Sequence, residues 1–272
     1  MKTILYLTDL YYVAKGRNYY EEDLFITSRL KDHFNILIGH PHQAIAYLDV
    51  ADLIVFRNTG AVFYYQEYFS DFLSIVKEKK CLTFNSFDGK ADIKGKQYLL
   101  DLYAEGYPVI PTVGNIAELG QLGEQEKYVL KIYKGADSIG MDFLTKDELI
   151  KENTQGKFIQ AFIDFKYEVS FYYLNNSFQY ALYAPNKSRR WELMEYEASS
   201  KDLEFADMFI KWNNMENGIT RVDACRCIDD SLLLVELEDL NPFLSIGLLN
   251  EDKREAFMAN FIEHLKVMTA IN

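Results

Sequence analysis

The residues with the clearest capacity for chemistry lie in the run GITRVDACRCIDDSLLLVELEDLNPF, residues 218 to 243. Two apolar runs flank Asp229-Asp230, a pattern that predicts a hairpin. Side chains alternate faces along a strand, so Arg221 and Asp223 share one face, and Glu236 and Glu238 share one face of the next strand. With Asp229-Asp230 as a two-residue turn, Asp223 is expected opposite Glu236 and Arg221 opposite Glu238. Three carboxylates on one half-buried face repel one another unless a cation sits among them. Hard oxygen ligands with no His or Cys partner suit magnesium, which commonly carries phosphates. A solvated strand face is the plain alternative.

The rest of the chain must position these acids. Its 272 residues are 49% hydrophobic, enough for one large unit or two to three subdomains with a substantial core. A formal charge of −12 argues against nucleic acid or an anionic membrane as the main partner, since both need a basic footprint. MKTILYLTDL is interrupted by Asp9 and reads as a first strand, not as a signal peptide or membrane span. Cys81, Cys225 and Cys227 are odd in number and form no zinc pattern, which fits a reduced cytoplasmic protein. His40-Pro41-His42 is the one histidine cluster and reads as a loop. The 20 tyrosines and 19 phenylalanines read as core and sheet faces and receive no chemistry.

Residues 1–88 alternate strand and helix. Strands are expected at 3–8, 35–38, 53–56 and 81–84, with helices at 22–34 and 66–79. That rhythm predicts a small parallel sheet with helices on both faces. Arg57 follows the strand LIVF, where open parallel sheets bind ligands, and is a candidate anion anchor for substrate. The polar stretch from Asn85 marks a boundary. Beyond it come a helix near 95–105, a strand at 128–133, a helix at 147–153, strands near 158–163, 168–174 and 178–183, and a helix near 203–212. The acidic hairpin and a final helix at 252–269 close the chain. The fold class is α/β with α+β subdomains, divided at 1–88, 89–159 and 160–272.

Lys131 ends an apolar strand and precedes the glycine loop KGADSIG, with Gly135, Ser138 and Gly140. Backbone N–H groups of such a loop approach anionic oxygens closely, and a lysine adds a compact charge. Joined to Asp223, Glu236 and Glu238, this makes both halves of a magnesium–nucleotide site. Here the chain resembles the ATP-grasp superfamily over nearly its whole length. The run from Lys131 to Gly140 is similar to its lysine strand and phosphate loop. Lys96, in GKQYLLDLYAEGYPVIPT, is similar to its earlier nucleotide lysine. Gln160, Ala161, Phe162 and Ile163 resemble the hinge whose backbone holds adenine, and Glu168 the glutamate that bonds ribose. RVD at 221–223 and ELEDLNP at 236–242 resemble the metal-binding strands, with Asn241 as a further ligand. Residue 1–88 would then be a Rossmann-like domain preceding the ATP-grasp unit. Within the superfamily the likeness is to small ligases related to cycloserine-forming cyclo-ligase and prokaryotic glutathione synthetase. The nucleotide half matches better than the acceptor loop RRWELMEYEASSKD, which lacks the usual glycine pair.

The resemblance implies an ATP- and Mg2+-dependent ligase. It would join a small-molecule carboxylate to an amine, both amino-acid or peptide-like, through an acyl phosphate. Arg221, Lys187 and Arg190 would stabilise the transferring phosphoryl group. A non-catalytic nucleotide-binding protein and a small-molecule kinase on the same fold are the other readings. The sequence carries no statement of oligomeric state.

Overall fold

The computed structural model describes residues 1–14, 17–133 and 140–270. The first part runs β1 (Thr3–Leu7), a two-stranded ribbon of β2 (Val13–Ala14) and β3 (Arg17–Asn18), then α1 (Tyr20–Leu30), β4 (Asn35–Gly39), β5 (Leu53–Phe56), α2 (Gln66–Lys79) and β6 (Thr83–Phe84). Strands β4-β1-β5-β6 form a parallel sheet in that order. The middle strands are apolar on both faces because both faces are covered. Ile4, Tyr6, Leu53 and Val55 pack with Ile26 and Leu30 of α1, while Leu5, Leu7, Ile54 and Phe56 pack with Phe69, Phe72 and Val76 of α2. Helix α1 stops at Leu30 instead of reaching residue 34. The chain must reverse there to pair Asn35 with Thr3, and Phe34 joins the core after the helix has ended. Residues Pro41–Val50 form a 3-10 segment, so Pro41 and His42, expected in a loop, open a helical stretch with His40 as its N-cap.

The second part holds α3 (Tyr98–Ala104), β7 (Thr112–Val113), β8 (Tyr128–Ile132), β9 (Met141–Leu144), α4 (Lys146–Leu149) and β10 (Lys157–Ala161). These strands form an antiparallel sheet in the order β7-β10-β8-β9 around a small core that includes Leu119, Leu130 and Ile159. Strands β7 and β9 are too short to carry a period-two signal, which is why the sequence did not reveal them. Helix α4 is one turn, opened by a Thr145–Glu148 capping box, and does not extend to residue 153.

The third sheet comprises β11 (Phe165–Leu174), β12 (Ser177–Ala184), β13 (Met194–Tyr196), β14 (Ile219–Cys227) and β15 (Leu232–Glu238), ordered β13-β12-β11-β14-β15 and antiparallel. Helix α5 (Ser200–Asn213) lays Phe205, Ala206 and Phe209 over Phe171, Tyr173, Val222 and Ala224. Helix α6 (Glu251–Ala270) packs Phe257, Phe261 and Leu265 with Tyr172 and Tyr180 on one side and with Ile4, Val55 and Phe84 on the other. The first and third sheets thus share one core through α6. Truncating the fully buried Phe261 to Ala would cost about 3–5 kcal/mol. Among the described residues no helix is long and apolar enough to cross a membrane.

The hairpin of β14 and β15 corrects one expectation. Its turn is not the pair Asp229-Asp230. The N–H of Cys227 donates to Ser231 O at 2.9 Å and that of Asp230 to Cys227 O at 3.1 Å, so three residues, Ile228 to Asp230, form the loop. Asp230 takes φ +69, a left-handed conformation that Asp tolerates. An odd loop alone would set Val235 opposite Asp223. Instead the register shifts between Asp223 and Ala224, with Ala224 opposite Leu234 and Asp223 opposite Glu236. Val235 is the extra residue of a β-bulge, and the bulge restores the parity that the turn had broken.

Candidate active site

The bulge and the pleat bring Asp223, Glu236 and Glu238 together, with one carboxylate oxygen of each lying within 4.8 Å of the others. Opposing cations hold this cluster. Arg221 grips Asp223 through Nε–Oδ1 (2.9 Å) and Nη2–Oδ2 (2.7 Å), and Nη2 also donates to Glu238 Oε1 at 2.7 Å. The Ser170 hydroxyl donates to Asp223 at 2.6 Å. Lys96 ion-pairs with Glu236 and, at 3.1 Å, with Asp92. Burial and the neighbouring charges set Glu238 and Glu236 apart. Burial lifts Glu238 to about 7, with Glu236 and Asp223 adding repulsion against the pull of Arg221. Burial acts on Glu236 too, but the Lys96 ammonium and an Asp92 hydrogen bond outweigh it and hold that carboxyl well below its ordinary range. An oxygen-only cluster of this charge fits a hard divalent cation such as magnesium.

Lys131 stands on β8 opposite Phe158 of β10, outside the residues that line the site's cavity, and makes no ion pair with a described residue. Burial lowers its pKa to about 8, with the charges of Lys96 and Arg190 adding to that effect and those of Glu236 and Glu168 opposing it. An unpaired ammonium in a half-buried position suits an anionic ligand. Arg190 Nε donates to Glu168 Oε2 at 2.8 Å. A cavity of ≈ 450 Å³ opens on this cluster and continues to Asn58, Gly60 and Phe63 beside the first sheet. Asn241 lines it as well. Its amide nitrogen donates to Thr59 Oγ1 (3.0 Å) and Gly60 O (2.9 Å), so its oxygen is the atom that could meet a cation.

Two acids that the sequence reading passed over shape the site. Asp92 touches Lys96, and the i, i+4 spacing of acid and lysine was a readable signal. Asp239 is fully buried and accepts the N–H groups of Ala91 (3.0 Å) and Ile93 (2.9 Å). Asn85 Nδ2 donates to Asp239 O at 2.6 Å and Leu240 O at 3.0 Å. The polar stretch expected to be a boundary is therefore pinned against the end of β15, and this fixes Asp92 and Lys96 beside the acidic face. One step past Glu238, the pleat turns Asp239 to the opposite side, where it serves the backbone.

Comparison with solved structures decides the fold. D-cycloserine synthetase superposes with a TM-score of 0.73 at 16% identity, covering 97% of this chain and 99% of that one. D-alanine–D-alanine ligase from Bacillus anthracis, complexed with ATP, gives 0.68 at 15% identity with 100% of both chains covered. A RiPP-associated ATP-grasp ligase from Chryseobacterium gregarium, in complex with ADP and a leader and core peptide, gives 0.64 at 12% identity with 96% of each covered. This chain has the ATP-grasp fold. No family model and no curated protein matches it by sequence.

Within the ATP-grasp frame, the residues singled out from sequence fall, besides Lys131, into four groups. Lys96, Glu168, Arg190, Arg221, Asp223, Glu236, Glu238 and Asn241 all line the one cavity. The hinge residues lie on or just beyond β10, outside that lining. Gln160 is buried with Nε2 on Thr112 Oγ1 (2.9 Å), Ala161 is buried, and Phe162 is 42% exposed. The N–H groups of Ala161 and Phe162 already donate to Pro111 O and Lys127 O. Gly140 sits at φ +70 just before β9, while Gly135 and Ser138 lie outside the described residues. Arg57 and Lys187 are not brought to the site. Arg57 is 1% exposed and pairs with Glu22 at 3.4 Å, so it cannot anchor a substrate anion as expected. Lys187 is held by Asp164 at 2.6 Å on the surface, outside the cavity lining.

Proposed function

We propose that this protein is an ATP- and Mg2+-dependent ligase that joins a carboxylate to an amine or similar nucleophile through an acyl phosphate. The observation that carries the reading is the convergence of Asp223, Glu236 and Glu238 with Lys96 on one cavity of an ATP-grasp fold. The solved relatives named above include ligases bound to ATP or ADP. In the first step a carboxylate oxygen attacks the γ-phosphorus, its bond to the bridging oxygen breaks, and ADP leaves. In the second the amine nitrogen attacks the acyl carbon, the C–O bond to phosphate breaks, and the amine loses a proton as inorganic phosphate departs.

Asp223, Glu236, Glu238 and the Asn241 oxygen would hold magnesium, which supplies charge neutralisation on the phosphates. Lys96 and Lys131 neutralise the phosphate chain. Nucleotide binding requires Lys96 to exchange Glu236 for phosphate, and Arg221 to yield part of its hold on Asp223 and Glu238. The freed guanidinium donors of Arg221 and Arg190 can then bind the carboxylate and its phosphoryl group, where fixed cations act most strongly. Glu168 would bond ribose once Arg190 moves, and the Ile163 N–H would hold adenine. Substrates are small and amino-acid or peptide-like. We further propose units at 1–88, 89–159 and 160–272, with β10 crossing the second boundary, and a cytoplasmic setting, consistent with the three free thiols.

Thermal unfolding with ATP and a magnesium titration tests binding. A hundredfold excess of ligand over its Kd should add about 2.7 kcal/mol of stability, and only with magnesium present. Incubation with Mg-ATP and pooled amino acids should release ADP and phosphate together. ADP without free phosphate would indicate a kinase, and binding without turnover a nucleotide-binding protein.

A further inference from the structure

The chain leaving β15 is fixed by buried charges that the mechanism above does not use. Arg57 Nη2 donates to Pro242 O at 3.0 Å. Glu22 accepts the N–H of Leu244 at 2.9 Å and of Ile246 at 3.2 Å. Both side chains are buried and pair with each other, and Asp23 stands 3.9 Å from Arg57. These charges face the backbone and not the cavity, so they act as a clamp on residues 242–246. Within that clamp stands Phe243. Its carbonyl accepts Arg221 Nη1 at 3.2 Å. Its ring lies 4.5 Å from that of Tyr19, tilted at 56°, and Tyr19 lies 5.3 Å from Tyr12 at 58°. All three rings line the cavity.

One wall therefore begins at the Arg221 guanidinium and continues over three aromatic rings. A ligand cation placed there would meet an arginine at the near end. An anion joined to a flat apolar group places its charge on Arg221 and its ring against Phe243 and Tyr19, in the tilted geometry that aromatic quadrupoles favour. We propose that Phe243, Tyr19 and Tyr12 form the side-chain subsite of the carboxylate substrate and select a carboxylic acid that carries an aromatic ring, with Glu22 and Arg57 as positioning residues for that wall. The proposal rests on the ligase reading for the place of the carboxylate, but its test reads binding and not turnover.

Protein loaded with Mg2+ and a non-hydrolysable ATP analogue is titrated by calorimetry with 3-phenylpropionate, butyrate and glutarate. The aromatic acid is expected to bind at least tenfold more tightly than the other two. Phe243→Ala and Tyr19→Ala should erase that preference while the magnesium-dependent nucleotide shift persists. If either alanine variant fails to fold, Phe243→Leu and Tyr19→Leu keep most of the volume and remove the ring. Glu22→Gln should weaken phenylpropionate several-fold and leave butyrate unmoved, whereas a merely structural role would weaken both alike. Equal affinity for the three acids, or a preference that survives loss of both rings, would overturn the subsite. If phenylpropionate binds preferentially but no amine yields ADP and phosphate, the ligase reading fails and the subsite stands.

Discussion

Glu236 and Lys96 form an ion pair that magnesium and nucleotide would have to open under the proposed mechanism, which makes both residues sensitive probes of the site. Glu236→Gln keeps the shape but removes a charge that a divalent cation needs. Lys96 retains Asp92 as a partner, so the fold should persist with a melting temperature within a few degrees of the parent. Turnover should fall by roughly two orders of magnitude or more, since metal-assisted stabilisation is worth several kcal/mol. Unchanged ADP release by the folded variant would refute the metal assignment. Lys131→Met should act with opposite signs on stability and binding. The Lys131 pKa is lowered from 10.5 to about 8 by burial, so the folded protein holds fewer protons than the unfolded chain between those values. The cost of the charged lysine is full below pH 8 and fades as pH rises toward 10.5. The methionine variant should therefore be the more stable protein at pH 7, by at most about 3 kcal/mol, with the difference closing by pH 10.5. Denaturant midpoints across that range check this, and nucleotide titration should show weaker binding in the same variant.

At the scale of elements, the site depends on features that break regularity. The three-residue turn and the bulge at Val235 are each an odd step, and together they return Glu236 to the face of Asp223. The stretch after β6 is likewise held by specific contacts. A Cβ at Gly89 would overlap Asp239 Oδ2, the atom that accepts the Ala91 N–H. Gly89→Ala should push Asp239 aside, leave buried N–H groups unpaired, and cost about 2 kcal/mol. A lowered melting temperature with weaker magnesium-dependent nucleotide binding is expected, because the same turn carries Asp92 and Lys96. A variant that melts like the parent would mean that this contact is easily relieved.

For the whole molecule, the distribution of apolar contacts sets which parts move together. The first and third sheets share a large core through α6, while the second sheet relies mostly on a small cluster around Leu119, Leu130 and Ile159. Regions with less buried apolar area open at lower free energy. Amide exchange should therefore be fastest among the strands in β8 and β9, slowest in β1, β5, β11 and β14, and Mg-ATP should slow β8 and β9 most. Uniform exchange across all three sheets would contradict a separately opening second sheet.

The acids, the lysines and the alternation of strand and helix are legible in the amino-acid order alone. Asp223, Glu236 and Glu238 were legible because charge interrupts apolar strands, Leu53–Phe56 because it is an unbroken apolar run, and Gln66–Lys79 because its apolar period is clean. The sequence also carried the resemblance that the superposition later matched. Tertiary structure alone decided what each charge faces. Arg57 follows a strand end as a ligand-binding arginine would, yet α1 and the chain after β15 close over it and turn it into a backbone clamp. Glu236 meets Lys96 across 140 positions of sequence, and Phe243 meets Tyr19 across more, so no local pattern reports either contact. The loop length and the bulge trade against each other, so sequence fixes their combined parity only when the buried face demands it. Periodicity records which side of an element is covered, and only the packed chain records by what.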